Sequence, residues 1–298
     1  MADGRRSGSV RAATAAALRT ANGSRSAPVV VGWEEAVAGQ GVALPGAAAA
    51  TIGTFDGVHR GHAALLRQLR RADVPCRVAV TFRVPPRSVL NGAAVAALMT
   101  GEQRYRALGA AGVSHVVVID FSDEFGKMPG KDFLAALTSA LPLVRLVVGS
   151  SFRCGRGRDT DVAAMRRLLA PSGVEVDPVP PVQLNGQPIS SSRIRRALGD
   201  GDIPLAAELL GHPYEVALAF RGDGILSEGE SEEGLRFSVG RERVGQLLPP
   251  PGHYTGRLRD GDGTVPVTVE VTDYSVDVSG DHALANGRMH AIELMARK

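Results

Sequence analysis

From Val29 to about Tyr214, apolar residues gather in short unbroken runs separated by amphipathic stretches. Ala47–Phe55, Cys76–Phe82, Ser114–Phe121 and Val144–Ser150 read as strands. Patterns of helical period come between and after them, at Val58–Arg71, Thr100–Ala111, Gly130–Ala140 and Asp161–Leu169. A run that is apolar at every position belongs to a strand covered on both faces. Strand–helix alternation of this kind predicts an α/β fold, a doubly wound, Rossmann-like parallel sheet with right-handed crossovers. Ligands of such sheets bind beyond the carboxyl ends of the strands. The turns Gly53–His59, Phe82–Arg87 and Gly149–Gly157 all fall there.

A helical pair follows. Ser190–Leu198 opens on three serines, favoured N-cap residues, and carries Arg193, Arg195 and Arg196. Pro204–Leu210 is closed by Gly211 as a C-cap. From Glu215 the texture changes. Val265, Val267, Val269 and Val271 alternate with Thr268 and Glu270, as in a half-buried antiparallel strand. Tyr254–Leu258 and Arg288–Met295 read as its partners, and the acidic stretch Ser227–Gly234 separates two strand-like regions. The prediction is a small all-β, barrel-like domain. The chain divides into a disordered basic tail (1–28), an α/β domain (29–214) and a β domain (215–298).

Charge sharpens this division. The net charge is +3, but the first 28 residues hold Arg5, Arg6, Arg11, Arg19 and Arg25 against Asp3. The basic excess belongs to the tail, so the folded body gives no reason to expect nucleic acid as a partner. The tail lacks the apolar core of a secretory signal. It loosely matches an organelle transit peptide, but a disordered extension is the simpler reading. Two cysteines, Cys76 and Cys154, are too few for a disulfide framework or a zinc site and fit a cytoplasmic protein. No apolar run reaches the roughly 18–20 residues needed to span a membrane. The pattern specifies no oligomeric state.

Candidate chemistry concentrates in Thr51–Leu66, T-I-G-T-F-D-G-V-H-R-G-H-A-A-L-L. A strand enters a glycine-rich turn and leaves in a helix whose first turn holds His59 and His62. Three positions apart, both imidazoles share one helix face. Unpaired N–H groups and the positive dipole end favour an anion there, and a polyphosphate is the natural guest. Gly53 and Gly57 let the backbone approach a ligand, and Gly61 removes a side chain between the histidines. A zinc site is the rival use of such a pair, but no third ligand stands nearby in sequence.

The turn G-T-F-D-G-V-H-R-G-H resembles the H-x-G-H signature of the nucleotidyltransferase superfamily. More specifically, it resembles the adenylyltransferase module of the bacterial bifunctional riboflavin kinase/FAD synthetase family. Val147–Gly155 (V-V-G-S-S-F-R-C-G) is similar to that family's V-V-G-x-(D/N)-F-x-F-G segment, and Ile189–Arg195 (I-S-S-S-R-I-R) to its I-S-S-T-x-I-R segment. Leu209–Tyr214 (L-L-G-H-P-Y) is similar to its closing L-L-G-R-P-Y. The motifs stand in the family's order over about Ala47–Tyr214.

The resemblance implies transfer of AMP from ATP to FMN, giving FAD and pyrophosphate, with Mg²⁺ accompanying ATP through phosphate oxygens. His59 and His62 would donate to the α- and β/γ-phosphates. Ser191, Ser192 and Arg195, at a helix start opened by Ser190, would grip the departing pyrophosphate. Gly53, Thr54, Phe55, Asp56 and Gly57 would shape the nucleotide pocket. On the flavin side the family's T-F-x-P-H-P is here Thr81–Pro86, T-F-R-V-P-P, lacking the histidine. Phe82, Arg83, Arg87, Ser151 and Phe152 are the candidates there, with Ser151 in place of Asp/Asn and Cys154 in place of the second Phe. No P-T-A-N segment of a riboflavin kinase barrel follows Tyr214, although Leu247–Tyr254 resembles that barrel's later L-P-x-x-G-x-Y turn. Kinase activity is therefore not expected, and removal of Glu215–Lys298 is expected to leave adenylyl transfer intact. Two other readings stay open: a transferase for another phosphate-bearing acceptor, and a non-catalytic flavin- or nucleotide-binding protein.

Overall fold

The computed structural model describes residues 27–40, 44–90, 92, 95–218, 235–260, 263–281 and 291–298. The tail before Ala27 and the acidic stretch Ser227–Gly234 lie outside them, as does the side chain of Arg87.

Strand β1 (Val29–Gly32) leads through α1 (Trp33–Val37) to β2 (Ala48–Ile52), then α2 (Arg60–Arg70) and β3 (Cys76–Phe82). Helices α3 (Pro86–Leu90) and α4 (Gly101–Ala110) precede β4 (His115–Ile119). Helices α5 (Asp123–Gly126) and α6 (Gly130–Ala140) precede β5 (Leu143–Gly149). A short pair, β6 (Arg153–Cys154) and β7 (Thr160–Asp161), then leads into α7 (Val162–Leu169) and β8 (Glu175–Val179).

These strands form a six-stranded parallel sheet in the order β1-β4-β3-β2-β5-β8. The order reverses between β2 and β5, which opens a crevice beyond their carboxyl ends. Both faces are covered, as the unbroken apolar runs require. Ala48, Ala50, Ile52, Val78, Val80, Val117 and Ile119 pack with Trp33 of α1, Phe133 and Leu137 of α6 and Met165 of α7. The intervening Ala49, Ala79, Val116 and Val118 pack on the other face with Leu66 and Leu69 of α2 and Leu108 of α4. Successive side chains of a strand point to opposite faces, so each strand serves two cores.

Two parallel strands escape the sequence pattern, and both are edges. β1 pairs only with β4 and leaves Val29 and Val30 exposed, so its short run resembles linker. β8 reads E-V-D-P-V and pairs only with β5. Pro178 is tolerated there because an edge strand keeps one hydrogen-bonding side free.

Beyond β8, the hairpin β9 (Gln183–Leu184) and β10 (Gln187–Pro188) turns at Asn185-Gly186, both with positive φ, as a two-residue primed turn requires. Helices α8 (Ser191–Gly199) and α9 (Ile203–Leu210) follow, the second ended by Gly211 in the left-handed region. A second, antiparallel sheet comprises β11 (Tyr214–Val216), β12 (Leu235–Gly240), β13 (Gly252–Asp260), β14 (Gly263–Val271), β15 (Ser275–Gly280) and β16 (Ile292–Arg297). Its order is β11-β16-β13-β14-β15-β12. The alternating valines lie on β14 with Val267, Val269 and Val271 buried. β14 pairs with β13 as expected, whereas the segment around Met295 pairs with β13 and not with β14.

The apolar faces of α8 and α9 do not cover the parallel sheet. Ile194, Leu198, Ile203 and Leu209 share one core with Tyr254, Leu258, Val269 and Ile292 of the second sheet. Tyr214, the end of the expected α/β domain, is the first residue of β11 and is fully buried in that core.

Candidate active site

The turn from β2 into α2 is held in an unusual conformation. Phe55 and Val58 adopt φ of +48° and +36°, and Gly57 +84°. Positive φ is costly for non-glycine residues, on the order of 1–3 kcal/mol each, and persists only where the surroundings over-determine it. They do so here. Phe55 is fully buried, and its ring packs so closely on Gly53 that a Cβ there would lie 3.3 Å away.

His59 is the N-cap of α2 and not a member of its first turn; its Nδ1 accepts the His62 backbone N–H at 3.3 Å. The two imidazoles stack, with centroids 3.7 Å apart and planes 16° from parallel, and Phe55 flanks His62 at 5.1 Å. Gly61 suits this spacing, since a Cβ would stand 3.0 Å from the His59 ring and press it aside. Burial pushes His59 down to about 4, with the charge of His212 adding to the fall against a backbone hydrogen bond. His62 is held well below its ordinary value by burial and then by His59. Both rings are therefore neutral near pH 7. The bond accepted at Nδ1 assigns the His59 proton to Nε2, making that atom the donor. The His62 Nδ1 is buried and has no hydrogen-bond partner among the described residues.

Asp56, 3 % exposed, gathers the neighbouring segments. Its Oδ1 accepts from the backbone N–H of Leu98 (2.9 Å) and Met99 (3.2 Å), and its Oδ2 pairs with the Arg195 guanidinium. Ser191 Oγ donates to the Asp56 carbonyl at 2.9 Å, and Arg195 Nε donates to Ala96 O at 2.8 Å. Burial raises the Asp56 carboxyl above its ordinary value, opposed by Arg195, the two amides and Arg104. The turn's carbonyls are tied as well. Thr54 O accepts from Thr81 Oγ1 and from Arg104, and His212 Nε2 lies 3.1 Å from Gly57 O.

The start of α8 thus stands against the start of α2. Ser190 caps α8, accepting from Arg193 N at 3.3 Å, and Ser191 bonds to the histidine turn. Ser192 is exposed and free of side-chain bonds among the described residues. Two helix N-termini with a guanidinium between them make a place for a multiply charged anion.

Phe82, Arg83, Ser151 and Phe152 lie beyond the same strand ends but, among the described residues, make no hydrogen bond or ring contact with these groups. Arg83 forms an exposed ion pair with Asp120 across the ends of β3 and β4. Phe82 packs edge-on to Phe121, which packs on Phe125, while Phe152 lies half-buried beside the same core. Ser151 is exposed and, among the described residues, makes no side-chain bond. A hollow of about 520 Å³ lies at the opposite edge, around Gly46, Pro142 and Ser172, away from all of these residues.

Among the described residues no three His, Cys, Asp or Glu side chains are placed to hold a metal. Asp56, the carboxylate of the turn, has its oxygens occupied by Leu98, Met99 and Arg195.

The sequence reading missed Arg104 and the segment 96–99. Arg104 is 5 % exposed, and its Nε has no partner. The available signal was an arginine one helical turn before Leu108 on the apolar face of α4.

Residues 43–193 match the family described as FAD synthetase. The chain is 33% identical over 188 residues to the FAD synthetase of Listeria monocytogenes, covering 62% of this chain and 74% of that protein. It is 33% identical over 172 residues to the bifunctional riboflavin kinase/FMN adenylyltransferase of Escherichia coli K12, and the match spans 56% of this chain and 55% of the enzyme. A Geobacillus thermodenitrificans protein described as a putative bifunctional riboflavin kinase/FMN adenylyltransferase is 38% identical over 184 residues, 59% of this chain and 96% of that one. A crystal structure from Streptococcus pneumoniae, named as a macrolide-efflux protein, superposes with a TM-score of 0.73 at 23% identity. It covers 86% of this chain and 95% of its own and shares the fold across both sheets. The family match takes in just over half of the chain and includes the histidine turn and the start of α8; the chain belongs to the FAD synthetase family.

Proposed function

We propose that this protein is an FMN adenylyltransferase, transferring AMP from ATP to FMN with release of pyrophosphate. One observation carries the reading: the neutral His59–His62 pair and the start of α8 meet at a single buried turn, tied together by Asp56. In the reaction an oxygen of the FMN phosphate attacks the α-phosphorus in line. The bond from that phosphorus to the bridging oxygen breaks, and pyrophosphate leaves with the electron pair. The attacking phosphate is already deprotonated, so no general base is needed. Catalysis is positioning and charge stabilisation.

His59 Nε2–H donates to a phosphate oxygen as a neutral imidazole, and His62 lies under it. Ser192 and the free N–H groups of α8 hold the departing pyrophosphate, with Arg195 supplying charge. Mg²⁺ accompanying ATP would supply the charge that neutralises the remaining phosphate oxygens. The aromatic strip of Phe82 and Phe121, with Phe152 nearby, offers stacking surface for a planar ring system on the flavin side, and Arg83 and Arg87 offer positive charge. Residues 29–214 carry this chemistry, 215–298 lack the kinase segment, and a reducing cytoplasm suits the two free cysteines.

The pairing of Arg83 with Asp120 favours a second reading, a transferase for another phosphate-bearing acceptor. One assay separates the two. The protein is incubated with Mg-ATP and FMN, or riboflavin, and FAD, FMN and pyrophosphate are followed. FAD from FMN with no FMN from riboflavin supports the proposal. Turnover only with a different phosphate acceptor transfers the assignment, and nucleotide binding without any turnover rejects catalysis.

A further inference from the structure

A buried side chain from the loop before β13 joins the second sheet to the segment that holds the histidine turn. Gln246, 6 % exposed, precedes β13 and lies beside the segment 96–99 in a parallel bridge to Ala97. Its Nε2 donates to Leu98 O (3.0 Å) and Glu215 O (2.9 Å), and its Oε1 accepts from Ala217 N (2.7 Å). Leu247 N donates to Ala97 O at 2.8 Å, while Tyr214 OH donates to Leu247 O at 2.6 Å.

The other side of the same segment faces the turn. Ala96 O receives Arg195 Nε, and the N–H groups of Leu98 and Met99 hold the Asp56 carboxylate. The backbone of 96–99 is therefore shared: Ala97 O and Leu98 O are spent on the second sheet, and Ala96 O, Leu98 N and Met99 N on the site. An extended segment with polar groups engaged on both sides passes a displacement on one side to the other.

We propose that Gln246 is a positioning residue for adenylyl transfer, acting through Leu98 on Asp56 and so on the histidine turn. The second sheet is then a structural part of the transferase site. This inference rests on the function proposed above. Its physical basis is the cost of the alternative: without the amide, Leu98 O is left buried and unpaired and the part-buried Ala217 N loses its acceptor, and the segment moves to satisfy them.

Three full-length variants test it. Gln246→Met keeps the side-chain volume and removes every hydrogen bond. Gln246→Glu keeps the acceptor for Ala217 N and removes the donor to Leu98 O, and it serves if the Met variant is insoluble. Tyr254→Phe removes the bond from Tyr254 OH to Pro250 O, inside the second sheet and away from 96–99. For Gln246→Met, kcat is expected to fall roughly 10- to 100-fold while KM for ATP and FMN moves less than about threefold. Tyr254→Phe should leave kcat within about twofold, and Gln246→Met in an Asp56→Asn background should add less than about threefold to the loss.

Amide hydrogen exchange at Leu98 and Met99 gives a readout that needs no turnover, expected to quicken on the order of tenfold in the Gln246 variants. Wild-type kcat in both Gln246 variants, an equal loss in Tyr254→Phe, or full additivity with Asp56→Asn overturns the proposal. If wild type forms no FAD, the functional reading fails. The positioning role is then judged by exchange alone, and unchanged exchange at Leu98 and Met99 overturns it.

Discussion

His59 caps the helix that carries His62: its Nδ1 accepts the His62 N–H at 3.3 Å while the two rings stack at 3.7 Å. The cap fixes the ring orientation and the tautomer together, so one side chain both starts α2 and leaves Nε2–H as its donor. Replacement by alanine would remove both roles at once. His59→Asn separates them, since asparagine is a good N-cap without an imidazole. Both His59→Asn and His62→Ala are expected to lower adenylyl transfer by roughly 10²–10³, as loss of a preorganised donor does. Steady-state FAD formation measures this, and wild-type rates in both variants would remove the pair from the mechanism.

Acid should unfold the protein through the same residues. The folded His59 resists protonation down to about 4, whereas in the unfolded chain it titrates near 6.5. Between those values the unfolded state binds the extra proton, so stability falls as pH drops. For His59 alone the loss from about pH 7 to about pH 5 is on the order of 2 kcal/mol. Asp56, raised by burial, acts in the opposite sense above 3.8 and is common to wild type and His59→Asn. Urea unfolding of the two across that range isolates the histidine contribution. Equal losses in both would show that His59 burial does not set it.

Arg195 and Asp56 should behave differently in stability and in turnover. Arg195→Ala leaves a carboxylate buried without its cation, a change that costs about 3–5 kcal/mol. The double variant Asp56→Asn/Arg195→Met removes both charges and should recover most of that stability. Its turnover should stay at least about 10²-fold low, because the pyrophosphate loses its guanidinium. Recovery of both together would make the pair a purely structural contact.

Gly57 couples the turn to two neighbours. It sits at φ +84°, and a Cβ would stand 3.0 Å from side-chain carbons of both Leu210 and Leu98. Gly57→Ala is expected to cost about 1–3 kcal/mol from backbone strain, with crowding in addition. A thermal midpoint equal to wild type would contradict this.

Deletion of Glu215–Lys298 should now abolish the soluble transferase, contrary to what the sequence alone suggests. It would expose Ile194, Leu198, Ile203 and Leu209, which pack against Tyr254, Leu258, Val269 and Ile292. It would also remove Gln246. Soluble yield and circular dichroism of the truncation decide the point, and a folded, active product would sink the prediction.

Most of the parallel sheet was legible because each central strand serves two cores and so is apolar at most positions on both faces. The edge strands β1 and β8 were not, since an edge tolerates Pro178 and exposed valines. The histidine turn was legible because its signal is local: glycines, a cap and two imidazoles within a few residues. Two of its partners, Ser191 and Arg195, were linked to it only through the resemblance of the Ser190–Arg195 segment to a known motif. Arg104 and Gln246 carried no comparable mark.

What the sequence determined by itself, then, was the class of the fold, the placement of its central elements and the local make-up of the turn that marks it as a candidate anion site. Those follow from periodicity and capping, which act over one or two turns of chain. The tertiary structure decided which buried polar groups meet: Asp56 with Arg195, 139 positions apart, and Leu98 with Gln246, 148 apart. A buried polar atom must find a partner somewhere, but packing across distant segments, and no local pattern, selects which one.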